Sequence, residues 1–240
     1  MDEFKLNNLL SEDSPRETIN IVNARTKLEA IREVKKILYR ICSRKTVLFL
    51  SGGTNATVLY ESLVKDKKIM LGGVALIDEV FGESNYRTSN EKLIKNSGLL
   101  RYVDSINAPF YGVLHNKTIE EETKDYDETV RYLLSYFPKA IAVLEIGEKG
   151  EIGGITAVPE ISNKIFEDKR SYVTSFSDTI TLTPLALAVF DPVIVLALGK
   201  EKKDALKNML SDGEMSEVPA RFFKKPEIAK KTILITDLRT

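Results

Sequence analysis

Thr46-Val-Leu-Phe-Leu-Ser-Gly-Gly-Thr-Asn-Ala-Thr-Val-Leu-Tyr-Glu-Ser-Leu-Val-Lys65 decides the fold class. Thr46 to Leu50 is a short apolar run of strand formers, and the glycines of Ser51-Gly-Gly-Thr-Asn55 break any regular element. Val58, Leu59 and Leu63 then form the apolar side of a helix that Thr54 or Asn55 can cap. A strand, a tight turn and a helix in that order form the repeating unit of a parallel sheet. The alternation continues downstream, with Leu71 to Ile77 read as a strand, Thr88 to Asn96 as a helix and Tyr102 to Ile106 as a strand. Thr118 to Tyr136 follows as a charged helix and Ala140 to Ile146 as a buried strand. Parallel neighbours need crossover connections, so the pattern predicts an α/β fold, a three-layer α/β/α sandwich with a mostly parallel central sheet.

Upstream, Ile19, Val22, Leu28, Ile31, Val34, Leu38 and Ile41 keep mostly three- or four-residue spacing, which predicts a long leading helix over about 15–43. Beyond Gly150 the elements shorten. Ser171 to Phe176 and Thr179 to Leu182 read as strands, Thr183-Pro184 opens a helix, and Pro192 to Leu198 is the last long buried strand. Lys200 to Leu210 reads as a helix, Val218 to Phe223 as a helical turn and Lys231 to Asp237 as a closing strand. No Gly/Ser-rich linker, repeat or low-complexity tract divides the chain, so the expectation is one α/β domain over 1–240, its core spanning about 46–240.

The 35 basic and 35 acidic side chains give a net charge of +0, which removes the electrostatic reason to expect nucleic acid or an anionic membrane as partner. Hydrophobic residues at 43% and charged residues at 29% match ordinary globular chains. No apolar stretch approaches the roughly 18 residues of a membrane helix, and the polar, acidic start is unlike a signal peptide, so the reading is a cytoplasmic protein. A lone Cys42 and a lone His115 exclude an internal disulfide and a Cys/His zinc set; no metal or cofactor is expected. Cys42 reads as a small buried hydrophobe and His115 as a surface residue. The oligomeric state stays open, a homo-oligomer included.

Ligands of open α/β sheets bind at the carboxyl ends of the strands, and three loops there stand out. Ser51, Gly52, Gly53, Thr54 and Asn55 place backbone N–H groups and a hydroxyl at a helix N-terminus, where the dipole favours an anion such as phosphate. A Gly-Gly turn also has a purely structural explanation. The second loop opens with the adjacent carboxylates Asp78 and Glu79 and continues through Ser84, Asn85, Tyr86 and Arg87. The third, Glu145-Ile-Gly-Glu-Lys-Gly-Glu-Ile-Gly-Gly154, holds four glycines, three glutamates and Lys149, a density that points to close backbone approach around a ligand.

The order of these loops resembles the 6-phosphogluconolactonases and their glucosamine-6-phosphate deaminase/isomerase relatives, from about Val47 to Asp237. Leu50-Ser-Gly-Gly-Thr54 is similar to the family's phosphate loop, and Asp78-Glu-Val with Ser84-Asn-Tyr86 to its D-E-R segment and downstream S-N-Y. Ile146-Gly-Glu-Lys-Gly-Glu-Ile152 fits the frame G-I-G-E-D-G-H-I, Ile180-Thr-Leu-Thr183 that of R-I-T-L-T, and Gly199 to Leu206 that of G-x-x-K-x-x-A-L. Val218-Pro-Ala220 is similar to a late P-A-S. The resemblance implies the family fold and a role in carbohydrate metabolism such as the pentose phosphate pathway. Its phosphosugar or sugar-lactone ligand would be held by residues 51–55, Asn85, Arg87, Gly147, Glu148, Lys149 and Lys202.

The chain departs from the pattern where chemistry is expected: Glu151 replaces the catalytic histidine, Lys149 an aspartate, and Val80 and Thr179 two arginines. A glutamate is about two pKa units less basic than histidine, which at a Brønsted slope near 0.5 costs about tenfold. Three functions follow. The first is a divergent lactonase with Glu151 as water-activating base, Asp78 orienting the substrate, and residues 51–55 with Lys202 holding phosphate. The second is a noncatalytic sugar-phosphate binder or sensor, and the third an aldose–ketose phosphate isomerase or deaminase in which Asp78 moves the proton.

Overall fold

A computed structural model describes residues 18–82 and 89–238. Along the chain run β1 (Asn20–Asn23), α1 (Lys27–Ile41), β2 (Thr46–Leu50), α2 (Thr54–Asp66), β3 (Gly73–Leu76) and β4 (Asp78–Val80). Next come α3 (Asn90–Asn96), α4 (Leu99–Ser105), β5 (Phe110–Tyr111), α5 (Ile119–Tyr136) and β6 (Lys139–Glu145). The last part holds α6 (Pro159–Glu167), β7 (Val173–Phe176), β8 (Thr179–Leu182), α7 (Pro184–Leu187) and β9 (Val193–Ala197). A 3-10 turn at Lys200–Lys202 leads into α8 (Lys203–Leu210), and a second 3-10 segment at Pro219–Lys224 precedes α9 (Pro226–Ala229) and β10 (Thr232–Thr236).

Among the described residues, seven parallel strands make the central sheet in the order β1-β10-β9-β6-β2-β3-β5, and β4-β8-β7 form a small antiparallel sheet. From β2 the chain adds β3 and β5 on one side, then returns across β2 to add β6, β9 and β10 on the other. Right-handed crossovers running in opposite directions place their helices on opposite faces, and the reversal leaves a crevice at the carboxyl ends of β2 and β6. The strands β2, β3 and β9 are buried throughout, as expected of a sheet covered on both faces. Phe49 of β2 meets Phe190 with ring centroids 4.8 Å apart, joining the sheet to the segment before β9. Tyr126 of α5 closes the end of β3, its hydroxyl accepting from Leu76 N (2.8 Å) and donating to Leu76 O (2.5 Å).

The α/β fold and its parallel sheet agree with the sequence pattern, while three local readings need correction. The helix expected over about 15–43 begins at Lys27, because Asn20–Asn23 is an edge strand paired with β10. The Ile19 to Val22 spacing fits either state, and the ladder, continued by Ala24 N to Thr236 O (2.7 Å), selects the strand. Thr26 then starts the helix, its hydroxyl accepting from Glu29 N at 3.1 Å; Pro15 to Glu17 lie outside the described residues. Tyr102 to Ile106, expected as a strand, belongs mainly to helix α4: Leu99, Tyr102 and Val103 repeat with a helical period and are its buried residues. The helix expected from Thr88 starts at Asn90, Thr88 itself lying outside the described residues. Among the described residues no helix is long and apolar enough to cross a membrane.

Candidate functional site

The crevice is built from loops that follow β2, β3, β6 and β9. Gly53 at φ +122° is the N-cap of α2 and no side chain of its own turn caps the helix, contrary to the expectation for Thr54 or Asn55. A carboxylate from the neighbouring strand does so instead. Glu145, the last residue of β6, accepts from Asn55 N (3.2 Å) and Asn55 Nδ2 (2.6 Å), and its Oε1 lies 3.8 Å from Lys202 Nζ. Asn55 Nδ2 also donates to Leu198 O at 3.2 Å, which ties this cluster to the end of β9. A β-carbon on Gly53 would stand 2.5 Å from Glu145 Oε2. Gly53→Ala therefore meets both a backbone conformation reserved for glycine and this contact; a loss of about 2 kcal/mol in denaturant unfolding is expected.

Gly52 opens the other half. Asn90 Oδ1 approaches to 1.9 Å from where a Gly52 β-carbon would be, while Asn90 Nδ2 donates to Asp78 O (2.8 Å) and Asp78 Oδ2 (2.9 Å). Asp78 Oδ1 is buried without a hydrogen-bond partner among the described residues. Burial pushes the Asp78 carboxyl up to about 7, the Asn90 amide opposes this, and the neighbouring Glu79 charge adds to the rise. The glycine-rich loop after β6 packs on the same place: a β-carbon on Gly153 would lie 3.7 Å from Asp78 Oδ1, and Gly154 N donates to Thr181 Oγ1 at 3.1 Å. Tyr60 of α2 donates to Ser51 O at 2.6 Å, and the surrounding burial together with Asp78 and Glu145 holds its hydroxyl well above the usual range.

Glu79, adjacent in sequence, points the other way. Its carboxylate accepts from Val80 N (2.8 Å), Asn90 N (2.9 Å), Glu91 N (2.8 Å) and Ser89 Oγ (3.1 Å), so it caps α3 from within the protein.

Of the residues singled out in the sequence, Ser51, Gly52, Gly53, Asn55, Asp78 and Lys202 are brought together. Gly147 and Glu151 sit on the loop that meets Asp78, but the Glu151 carboxylate turns back on that loop, accepting from Lys149 N at 2.9 Å and lying 2.0 Å from a Gly147 β-carbon position. Thr54, Glu148 and Lys149 are exposed, and Asn85 and Arg87 lie outside the described residues. His115 lies apart, with its side chain 60% exposed and Nδ1 3.3 Å from Glu122 Oε2. Sequence reasoning missed Glu145 and Asn90 as parts of the site. For Glu145 a signal was present, since the first glycine of the frame G-I-G-E-D-G-H-I falls on it; nothing in the sequence marks Asn90. Among the described residues no group of three or more His, Cys, Asp or Glu is arranged to hold a metal ion.

The family model for glucosamine-6-phosphate isomerases/6-phosphogluconolactonase matches residues 25–234. The chain belongs to this family. A curated relative, the 6-phosphogluconolactonase of Borreliella burgdorferi, is 27% identical over 161 residues, covering 62% of this chain and 66% of the relative. The chain thus spans just under two thirds of that relative's length. Among solved structures, a 6-phosphogluconolactonase from Shewanella baltica matches with TM-score 0.75 at 19% identity, over 91% of this chain and 97% of that one. One from Plasmodium vivax gives 0.72 at 18%, covering 98% and 95%. A monomeric glucosamine-6-phosphate deaminase gives 0.69 at 18%, covering 91% and 97%. The structural likenesses establish the family fold.

Proposed function

We propose that the chain is a divergent 6-phosphogluconolactonase-like hydrolase that opens a sugar lactone. The observation that carries this reading is the Asp78 carboxyl, held by Asn90 through one oxygen, with the other facing the glycine-rich loop and without a partner among the described residues. Hydrolysis needs a base for the attacking water and an acid for the departing ring oxygen. Glu151, released from its contact with Lys149 N, takes the water proton as the hydroxyl oxygen bonds to the lactone carbonyl carbon. The ring C–O bond then breaks, and Asp78, about half protonated near pH 7, orients the sugar and returns a proton to the alkoxide. A carboxyl group with an elevated pKa supplies the acid that a second ordinary carboxylate would not.

The test is acid release from 6-phosphogluconolactone and from its unphosphorylated counterpart, measured above the spontaneous rate. Glu151→Gln is expected to lower kcat about a hundredfold. Wild type and Glu151→Gln both matching buffer on both lactones would overturn the assignment. The folded-back Glu151 carboxylate favours a second reading, a sugar binder without catalysis, in which a sugar ligand raises the Tm while no lactone is turned over.

A further inference from the structure

We infer that Glu145 is the resident anion of the crevice, filling the α2 end of the site so that its ligand is a sugar or sugar lactone bearing no phosphate there. The inference rests on the reading of this crevice as the sugar site. The α2 N-terminus, the Asn55 amide and the Lys202 ammonium form the kind of cradle that receives a phosphate oxygen. Each of these groups already faces Glu145: Asn55 N at 3.2 Å, Asn55 Nδ2 at 2.6 Å and Lys202 Nζ at 3.8 Å. The carboxylate side chain is 7% exposed and that of Lys202 13%, so the pair is withdrawn from solvent and weakly screened. The absent side chain of Gly53 is what admits the carboxylate, since a β-carbon there would lie 2.5 Å from Oε2. An incoming phosphate would have to displace a covalently tethered anion or sit beside it as a like charge.

The flank of the crevice agrees. Asp78 and Val80 share one face of β4, opposite Thr181 and Thr179 of β8, and a β-carbon on Gly154 would lie 2.5 Å from Thr179 Cγ2 and 2.9 Å from Thr181 Cβ. Among the described residues that face carries two threonines, a valine and a carboxyl and no cation to receive a phosphate; the Thr181 hydroxyl itself is buried against Gly154 N. Glu145 thereby acts as a specificity-determining residue, satisfying the helix terminus and the lysine while repelling a second anion.

The deciding experiment titrates inorganic phosphate into the full chain by calorimetry and by amide NMR. Wild type is expected to show no saturable binding. Glu145→Ala should gain at least about tenfold in phosphate affinity, a gain that Lys202→Met on the same background removes. If Glu145→Ala does not fold, Glu145→Ser, which keeps an acceptor for the Asn55 amide, carries the same expectation. Saturable phosphate binding by wild type that moves the Gly53 and Asn55 amide signals overturns the inference, as does a variant that folds and gains nothing. The paired lactones provide a second readout: wild type should favour the unphosphorylated substrate, and Glu145→Ala should shift the kcat/KM ratio toward the phosphorylated one by about tenfold or more. Absence of turnover on both lactones defeats the lactonase assignment alone, since phosphate titration needs no catalysis.

Discussion

Asp78→Asn should make the protein more stable at pH 8 while lowering lactone turnover about a hundredfold or more. The folded Asp78 carboxyl titrates at about 7, against about 3.9 for an unfolded aspartate. Between those values the folded chain holds a proton that the unfolded chain has released, so stability is greatest below the lower value and falls as pH rises through the upper one. The interval is worth at most about 4 kcal/mol. Asparagine is neutral at every pH and keeps an oxygen for the Asn90 amide, so the variant lacks this slope. Denaturant unfolding from pH 4 to pH 8 should show wild type losing about 2 to 4 kcal/mol relative to Asp78→Asn. Parallel curves for the two proteins would mean that Asp78 ionises as an ordinary aspartate and cannot serve as the acid.

The residue next to it should behave in the opposite way. Glu79→Gln is expected to cost about 3 kcal/mol, because one carboxylate oxygen that accepts from two donors becomes an NH₂ group. If that group replaces Oε2 it faces Glu91 N; if it replaces Oε1 it faces Val80 N and Asn90 N, and in either arrangement backbone donors confront donors. The same measurement at pH 7 checks it, with a change below about 1 kcal/mol showing that the α3 terminus finds other partners. Two adjacent carboxylates are thus expected to give changes of opposite sign, since one is held in an unfavourable state facing the crevice and the other saturates four donors.

That contrast also marks what the sequence could reveal. Thr46 to Leu50 and Val193 to Ala197 are apolar runs with turn residues behind them, and such strands are legible because both faces are buried. Tyr102 misled because aromatic and β-branched residues favour strands, although the spacing from Leu99 to Val103 was already helical. The edge strand Asn20–Asn23 was hidden because its partner lies at the far end of the chain. Within the site, the glycine loops and Asp78 could be read from their positions after strands. The division of labour between Asp78 and Glu79, and the engagement of Lys202 by Glu145, depend on contacts across loops distant in sequence, and local pattern carries no information about them.

The pairing of Asp78 with Thr181 and of Glu79 with Ile180 has a further consequence. Side chains alternate along a strand, so a slip of β4 by one residue against β8 would exchange the two carboxylates, sending the saturated one into the crevice and the elevated one beneath the helix. Chemical identity at this position is therefore a matter of phase. An insertion or deletion that displaces β4 by one residue, even one placed outside the crevice, would rewrite its acid–base character without substituting either carboxylate.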